Sequence, residues 1–191
     1  MNANNQLSVC VFCGSRTGSK PHFKDLAQSV GRKIAEMGCR LVYGGGSIGL
    51  MGAVSKSVQE NGGKILGIMP EGLLKKEIGK FDLDSLIVTE DMHQRKKLMF
   101  TNSDFAIVLP GGIGTMDEFF EILTWSQLGI HNRPIILVDH EKFWEPLISL
   151  LQHQVAMGFA ESTVFELFQV IDQEDFSLDF LLGSNFHNSK E

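Results

Sequence analysis

Short runs of consecutive apolar and β-branched residues alternate along the chain with longer stretches whose apolar positions recur three and four apart. The short runs predict seven strands, at 7–12, 40–43, 64–69, 85–89, 105–109, 134–138 and 169–171. The longer stretches predict the helices between them. One covers 21–37, with Phe23, Leu26, Ala27, Val30, Ile34 and Met37 on one face and Gly38 as its stop. Others run to Glu60 after the second strand, then over 91–102, 115–128 and 144–157. The 115–128 helix ends at Gly129-Ile130 in the pattern of a Schellman stop. Residues 71–84 read as a loop, and 172–182 as a closing helix capped by Asp172. Continuous apolar strands alternating with helices predict a parallel sheet covered on both faces.

Candidate chemistry gathers where these strands end. Cys13-Gly14-Ser15-Arg16 follows the first strand and Gly44-Gly45-Gly46-Ser47-Ile48-Gly49 the second. Pro110-Gly111-Gly112-Ile113-Gly114-Thr115 follows the fifth. In doubly wound sheets ligands bind at the carboxyl ends of the strands, at a switch point. A strand, a glycine turn and a helix start together present unpaired amides and a positive dipole end to an anion, phosphate above all. For the last turn a plainer alternative stands beside this one, because Thr115-x-x-Glu118 is also a capping box. Gly44, Gly46 and Gly49 formally satisfy G-x-G-x-x-G, but the next strand meets its acidic residue, Glu71, too late for a dinucleotide site. A second anion-cradling loop fits better. The fold class is therefore α/β, one Rossmann-like domain over 7–182 with a flexible N-terminus at 1–6 and a flexible tail at 183–191.

Composition narrows the partners. The 191 residues are 43% hydrophobic and 21% charged, as in a globular protein with a real core. A net charge of -6 argues against nucleic acid, which calls for a basic face. No apolar run approaches the ~20 residues of a membrane span, and the first six residues are polar, so a cytoplasmic location is expected. Three cysteines, an odd number, point to free thiols. Cys10 and Cys13 lie three apart at a strand end, which sends them to opposite faces. No metal and no cofactor are expected.

His93, Arg95, Lys96 and Lys97 crowd the start of the 91–102 helix. There the macrodipole penalises each cation by a few tenths to ~1 kcal/mol. A solvated basic patch and an anion site stand level as explanations. On the second, a bound anion relieves the conflict, and removing Arg95 should leave the empty protein no less stable.

Three stretches together resemble one family: Tyr43-Gly44-Gly45-Gly46-Ser47-Ile48-Gly49-Leu50-Met51-Gly52, Met92-His93-Gln94-Arg95-Lys96, and Pro110-Gly111-Gly112-Ile113-Gly114-Thr115-Met116-Asp117-Glu118. Trp125-Ser126-Gln127-Leu128-Gly129-Ile130-His131 adds to the likeness, which covers roughly residues 7–160. The family is LOG (Lonely Guy), the cytokinin riboside 5′-monophosphate phosphoribohydrolases, long labelled possible lysine decarboxylases. The resemblance implies hydrolysis of the N-glycosidic bond of a purine nucleoside 5′-monophosphate, AMP or an N6-modified cytokinin form, by a homodimer or larger homo-oligomer. It places the catalytic arginine and glutamate on Arg95 and Glu118. It implies nucleotide contacts at Glu77, Lys96 and Thr124, and along Gly112, Ile113, Gly114, Thr115, Met116 and Asp117. Gly14, Ser15, Gly45, Gly46 and Gly111 complete the expected site.

The residues support such chemistry on their own terms. Breaking a ribosyl C–N bond builds oxocarbenium charge, which a carboxylate one helical turn from a phosphate cradle can stabilise. Two roles stand open for Arg95, clamping phosphate or neutralising the departing base. Two rivals share these features: a molybdenum-cofactor carrier of the same fold, which binds without catalysis, and a decarboxylase, which needs a lysine for a pyridoxal Schiff base.

Overall fold

The seven apolar runs form β1 (Ser8–Phe12), β2 (Arg40–Tyr43), β3 (Lys64–Pro70), β4 (Ser85–Thr89), β5 (Phe105–Val108), β6 (Ile135–Asp139) and β7 (Gln169–Asp172). They make one sheet in the order β4-β3-β2-β1-β5-β6-β7, with each neighbouring pair parallel. This computed structural model describes residues 6–74, 83–174 and 176. Between the strands lie α1 (His22–Glu36), α2 (Gly49–Glu60), α3 (Glu71–Leu74), α4 (Met92–Thr101), α5 (Ile113–Gln127) and α6 (Glu145–Ala156).

Strand pleating divides the core in two. Val9, Val11, Leu41 and Ile107 face α1 and α2, packing with Leu26, Val30, Ile34 and Val54. Cys10, Phe12, Val42 and Val108 face the other way, onto Met99, Phe119, Ile122 and Trp144 of the later helices. Cys13 belongs to the first cluster and Cys10 to the second, so the two thiols do lie on opposite faces. All three cysteines are free and buried. Burial pushes the Cys10 and Cys13 thiols far up, with the nearby Glu118 charge adding to it, so neither is a ready thiolate.

The chain steps outward from β1 to β4, then returns across the sheet to lay β5 along the other side of β1. That reversal is the switch point. Register pairs Phe12 with Val108. The first and third glycine turns therefore leave the sheet side by side, tied by Leu109 N–H to Phe12 O at 2.9 Å and Gly14 N–H to Pro110 O at 3.1 Å.

Most boundaries shift from the sequence reading by a single residue, and four features differ by more. α5 begins at Ile113 with the extended Gly112 as its N-cap, two residues early, because the backbone turns helical as soon as it clears Gly112. Residues 71–74 coil into one helical turn rather than loop. A 3-10 turn, Ser162–Glu166, precedes the last strand. Asp172 closes β7 instead of opening a helix, and its carboxylate accepts from Glu174 N–H at 3.0 Å. The rest of the expected closing helix, apart from residues 173, 174 and 176, lies outside the described residues, as do 1–5 and the 183–191 tail.

α1 and α2 cross in close contact at Gly31, where Ser57 Oγ donates to Gln28 O at 2.6 Å. A Cβ built on Gly31 would lie 2.6 Å from Val54 O and 2.9 Å from Ser57 Cβ. In an open helix Gly→Ala stabilises by ~1 kcal/mol. At this crossing Gly31→Ala is expected to destabilise by about 1–3 kcal/mol, the overpacking range, read as a lower Tm or denaturant midpoint. A gain in stability would show that the helices are not in contact there.

Candidate active site

The site is built on the carboxyl edge of β1, β2, β3 and β5. Arg95, on α4, is only 7% exposed. Its Nε–H donates to Ile68 O and its Nη2 to Gly44 O, each at 3.2 Å, which fastens the guanidinium across the ends of β2 and β3. Gly44 makes room for this, since a Cβ there would collide with Nη2. A guanidinium carries five donors. Among the described residues the Nη1 edge meets only Met92 Sδ, at 3.6 Å, a weak acceptor.

The crowded cations of α4 turn out to be accommodated. Asp91 caps the helix, accepting Gln94 N–H at 2.8 Å, while Gln94 Oε1 accepts Glu90 N–H at 2.9 Å. The Asp91-x-x-Gln94 spacing is the sequence signal for this cap, with Gln94 reaching the amide one residue before Asp91 rather than Asp91's own. Lys96 is buried between α4 and α5, its Nζ 3.1 Å from Asp117 Oδ2 and 3.0 Å from Glu121 Oε1. Burial opposes its charge, but the hydrogen bonds it donates to Glu121 and Asp117 prevail and hold its pKa above the ordinary value. Glu121 escaped the sequence reading, although it stands four residues after Asp117 on one face of α5. Only His93 and Lys97 are exposed. The expectation that an empty site is strained by these cations is therefore overturned for Arg95 and Lys96.

At the switch point the start of α5 is open. Among the described residues no acceptor takes the amides of Ile113, Gly114 or Thr115, and Gly112, Ile113 and Gly114 are exposed. Thr115 is buried beneath Gly111, whose backbone packs so closely on Thr115 Oγ1 and Gly14 N that no Cβ would fit. The start of α2 differs. Leu50 N–H and Met51 N–H both donate to Gly14 O, at 3.0 and 3.4 Å, so that helix end is already spent. Gly45 and Gly46 are buried in the turn after β2, whereas Ser15 is exposed beside the first.

Because α5 starts at Ile113, Thr115 is its third residue and the capping box with Glu118 does not form. Glu118 lies instead in the second turn, partly buried. Burial raises its carboxyl from 4.5 to about 7, against a pull downward from Arg95 and Lys96 and with a push upward from Asp117 and Glu121. Met116 packs into the second core cluster, and Asp117 is committed to Lys96. Thr124 is exposed about 9 Å further along α5, away from the turn. Glu77 lies outside the described residues. A cavity of about 670 Å³ opens at the opposite, amino edge of β6 and β7, lined by Ser126, His131, Arg133 and Glu166 among others. It shares no residue with the site above.

A doubly wound parallel sheet with an open helix start at its switch point, and a carboxyl of raised pKa beside a buried arginine, defines a phosphate-directed binding or catalytic protein of the Rossmann-like class. Comparisons with known proteins make this specific. A family model described as possible lysine decarboxylase matches residues 51–179. A probable cytokinin riboside 5′-monophosphate phosphoribohydrolase of Oryza sativa subsp. japonica is 43% identical over 165 residues, covering 86% of this chain and 72% of its own. The cytokinin riboside 5′-monophosphate phosphoribohydrolase of Rhodococcoides fascians is 44% identical over 153 residues, covering 80% and 77%. Among solved structures, the molybdenum cofactor binding protein of Rippkaea orientalis superposes with a TM-score of 0.68 at 21% identity, over 95% of this chain and 98% of that one. That last likeness concerns the fold alone. The chain belongs to the LOG family, the one described as possible lysine decarboxylase.

Two stability predictions follow from this geometry, and they have opposite signs. Arg95→Ala strands the Gly44 and Ile68 carbonyls, and should destabilise the ligand-free protein by about 2 kcal/mol, reversing the sequence expectation. Glu118 has a folded pKa of about 7 against 4.5 unfolded. It contributes stability fully present below pH 4.5 and lost as pH rises through 7, on the order of 3 kcal/mol at most. Glu118→Gln should therefore raise Tm at pH 8 by several degrees relative to wild type, and by little at pH 5. Equal Tm differences at both pH values would place Glu118 in water.

Proposed function

We propose that the chain hydrolyses the N-glycosidic bond of a purine nucleoside 5′-monophosphate, AMP or an N6-substituted cytokinin form, to free base and ribose 5-phosphate. The observation that carries this reading is the placement of Glu118. Its backbone lies about 7.5 Å along α5 from Ile113, one turn beyond the open helix start, so its side chain is within reach of a sugar whose phosphate sits at that start. With phosphate held by the amides of 113–115 and the Gly14 turn, the sugar falls beside Glu118. The C1′–N bond breaks with its electron pair leaving on the base, and the ribosyl cation that forms is stabilised by the carboxylate. Water adds to C1′ and its proton passes to Glu118, while the departing base takes up a proton from solvent, to which Glu118 then returns its own. Metal and cofactor have no part in this scheme.

Arg95 stands over the ends of β2 and β3, away from the β1–β5 switch point. At about 4.8 Å per strand that position lies nearer the base than the phosphate, and supports the second of its two open roles, countering charge on the departing base. Lys96, by contrast, reads as a structural pin that holds α4 against α5. Its doubly paired, firmly protonated amine is the reverse of what a Schiff-base lysine requires, which disfavours decarboxylation. A carrier has no use for a carboxyl held near neutrality. No helix among the described residues is long and apolar enough to cross a membrane. The same reading has the enzyme act in the cytoplasm as a homodimer or larger homo-oligomer, with Glu77 and Thr124 as further nucleotide contacts.

Incubation with AMP should release adenine, and adenosine should be turned over at least a hundredfold more slowly, because the phosphate supplies the binding energy that positions the sugar. Equal rates on the two would remove the cradle. Glu118→Gln should cut kcat by 10² to 10⁴-fold, the usual span for a lost general base. In the wild type log kcat/KM should climb with unit slope and level off above a pH of about 7, since the base acts ionised. A profile flat from pH 5 to 8 would take Glu118 out of the proton transfer.

A further inference from the structure

We propose that His22, His140 and Glu141 form a binding site for a divalent transition metal of the zinc class, which pins the turn after β6 to the start of α1. The three side chains are remote in sequence and are brought together by the fold, on the same carboxyl edge as the glycine turns. One ligand atom from each lies within 4.8 Å of the other two. Ligand atoms around tetrahedral zinc, at about 2.0–2.1 Å from the ion, sit roughly 3.4 Å apart, so the cluster has to draw in by roughly 1 Å at its widest to close on an ion. His22 Nδ1 is already 3.5 Å from Glu141 Oε1, and the His22 and His140 rings meet at 4.5 Å between centroids. Two imidazoles and a carboxylate are a borderline donor set, suited to zinc and its neighbours and unsuited to magnesium or calcium.

Two further observations favour a built site over a chance cluster. Glu141 and Lys142 have φ of 51° and 59°, two consecutive non-glycine residues in the left-handed region. Such strain persists only where surroundings impose it, and its effect is to turn Glu141 back over α1. Asp139 fixes the turn from beneath, its Oδ1 accepting from His140 N–H at 2.9 Å and Trp144 N–H at 3.2 Å. Phe23 and Phe143 back the site, with Phe23 edge-on to His22 at 4.4 Å, and give it an apolar floor. Lys20 Nζ, 2.6 Å from Glu141 Oε2, holds the carboxylate in place and would yield to the stronger cation. A metal here would tether the segment that follows Gly14 and Ser15, so it bears on the first turn of the nucleotide site without belonging to the chemistry.

The test is zinc titration of the full chain, free of any affinity tag, by calorimetry and by competition with a chromophoric chelator. One Zn²⁺ per chain is expected, with Tm raised by several degrees at about a hundredfold excess over Kd. His140→Ala and Glu141→Gln, both near the surface, should each weaken binding at least about tenfold while far-UV dichroism stays unchanged. Mg²⁺ should not compete. Absence of zinc binding tighter than about 0.1 mM, or affinities in both variants within twofold of wild type, overturns the proposal and leaves the cluster a surface ion pair.

Discussion

A buried guanidinium keeps its charge only where acceptors replace the water it has lost, and the active-site architecture depends on how Arg95 meets that demand. The carbonyls of Gly44 and Ile68 supply it from the ends of β2 and β3. Only a residue without a Cβ leaves space for the contact at position 44. The sheet thus serves as a rigid rim that fixes a cation, and α4 is held in place by what Arg95 and Lys96 bind at either side. Charge and packing are one constraint here.

Glu118 is the counterpart. It sits in the second turn of a helix whose first turn is open to solvent, near enough to Arg95 to feel its charge but without a direct ion pair among the described contacts. Burial therefore dominates and leaves the carboxyl poised near neutrality. Full pairing with Arg95 would hold it firmly ionised and weakly basic. The neighbouring acids, Asp117 and Glu121, are drawn off by Lys96. That division leaves three carboxylates on one helix in two distinct states, two as staples and one unpaired among the described contacts, which is the one the proposed chemistry calls on.

The strands and their parallel order were legible because each buried strand is a bare apolar run, and the three glycine turns could be placed at strand ends from sequence alone. Arg95 and Glu118 were singled out as an expected pair by the family resemblance rather than by chain position. What sequence could not supply was which turn keeps its amides. The 44–49 and 111–115 turns read alike, yet Gly14 O occupies the start of α2 and leaves α5 free, a contact between residues 36 positions apart. The same limit misled the reading of 93–97. Dipole arguments treat a helix as isolated, whereas Arg95 and Lys96 find acceptors on β2, β3 and α5. His22 and His140 likewise meet only through the fold. The error at Thr115 is of another kind, since a two-residue shift in a helix start converts a capping box into a buried hydroxyl and a site carboxylate.

The central claim is that Glu118 is held near neutrality by burial and restrained by Arg95. Titration of the Glu118 side-chain carboxyl by ¹³C NMR in the nucleotide-free protein tests it most directly. The account predicts a midpoint at about pH 7, moving higher in Arg95→Ala as the favourable charge is lost. A midpoint near 4.5 in both proteins would contradict it, and would return Glu118 to the solvent-exposed face of an ordinary helix.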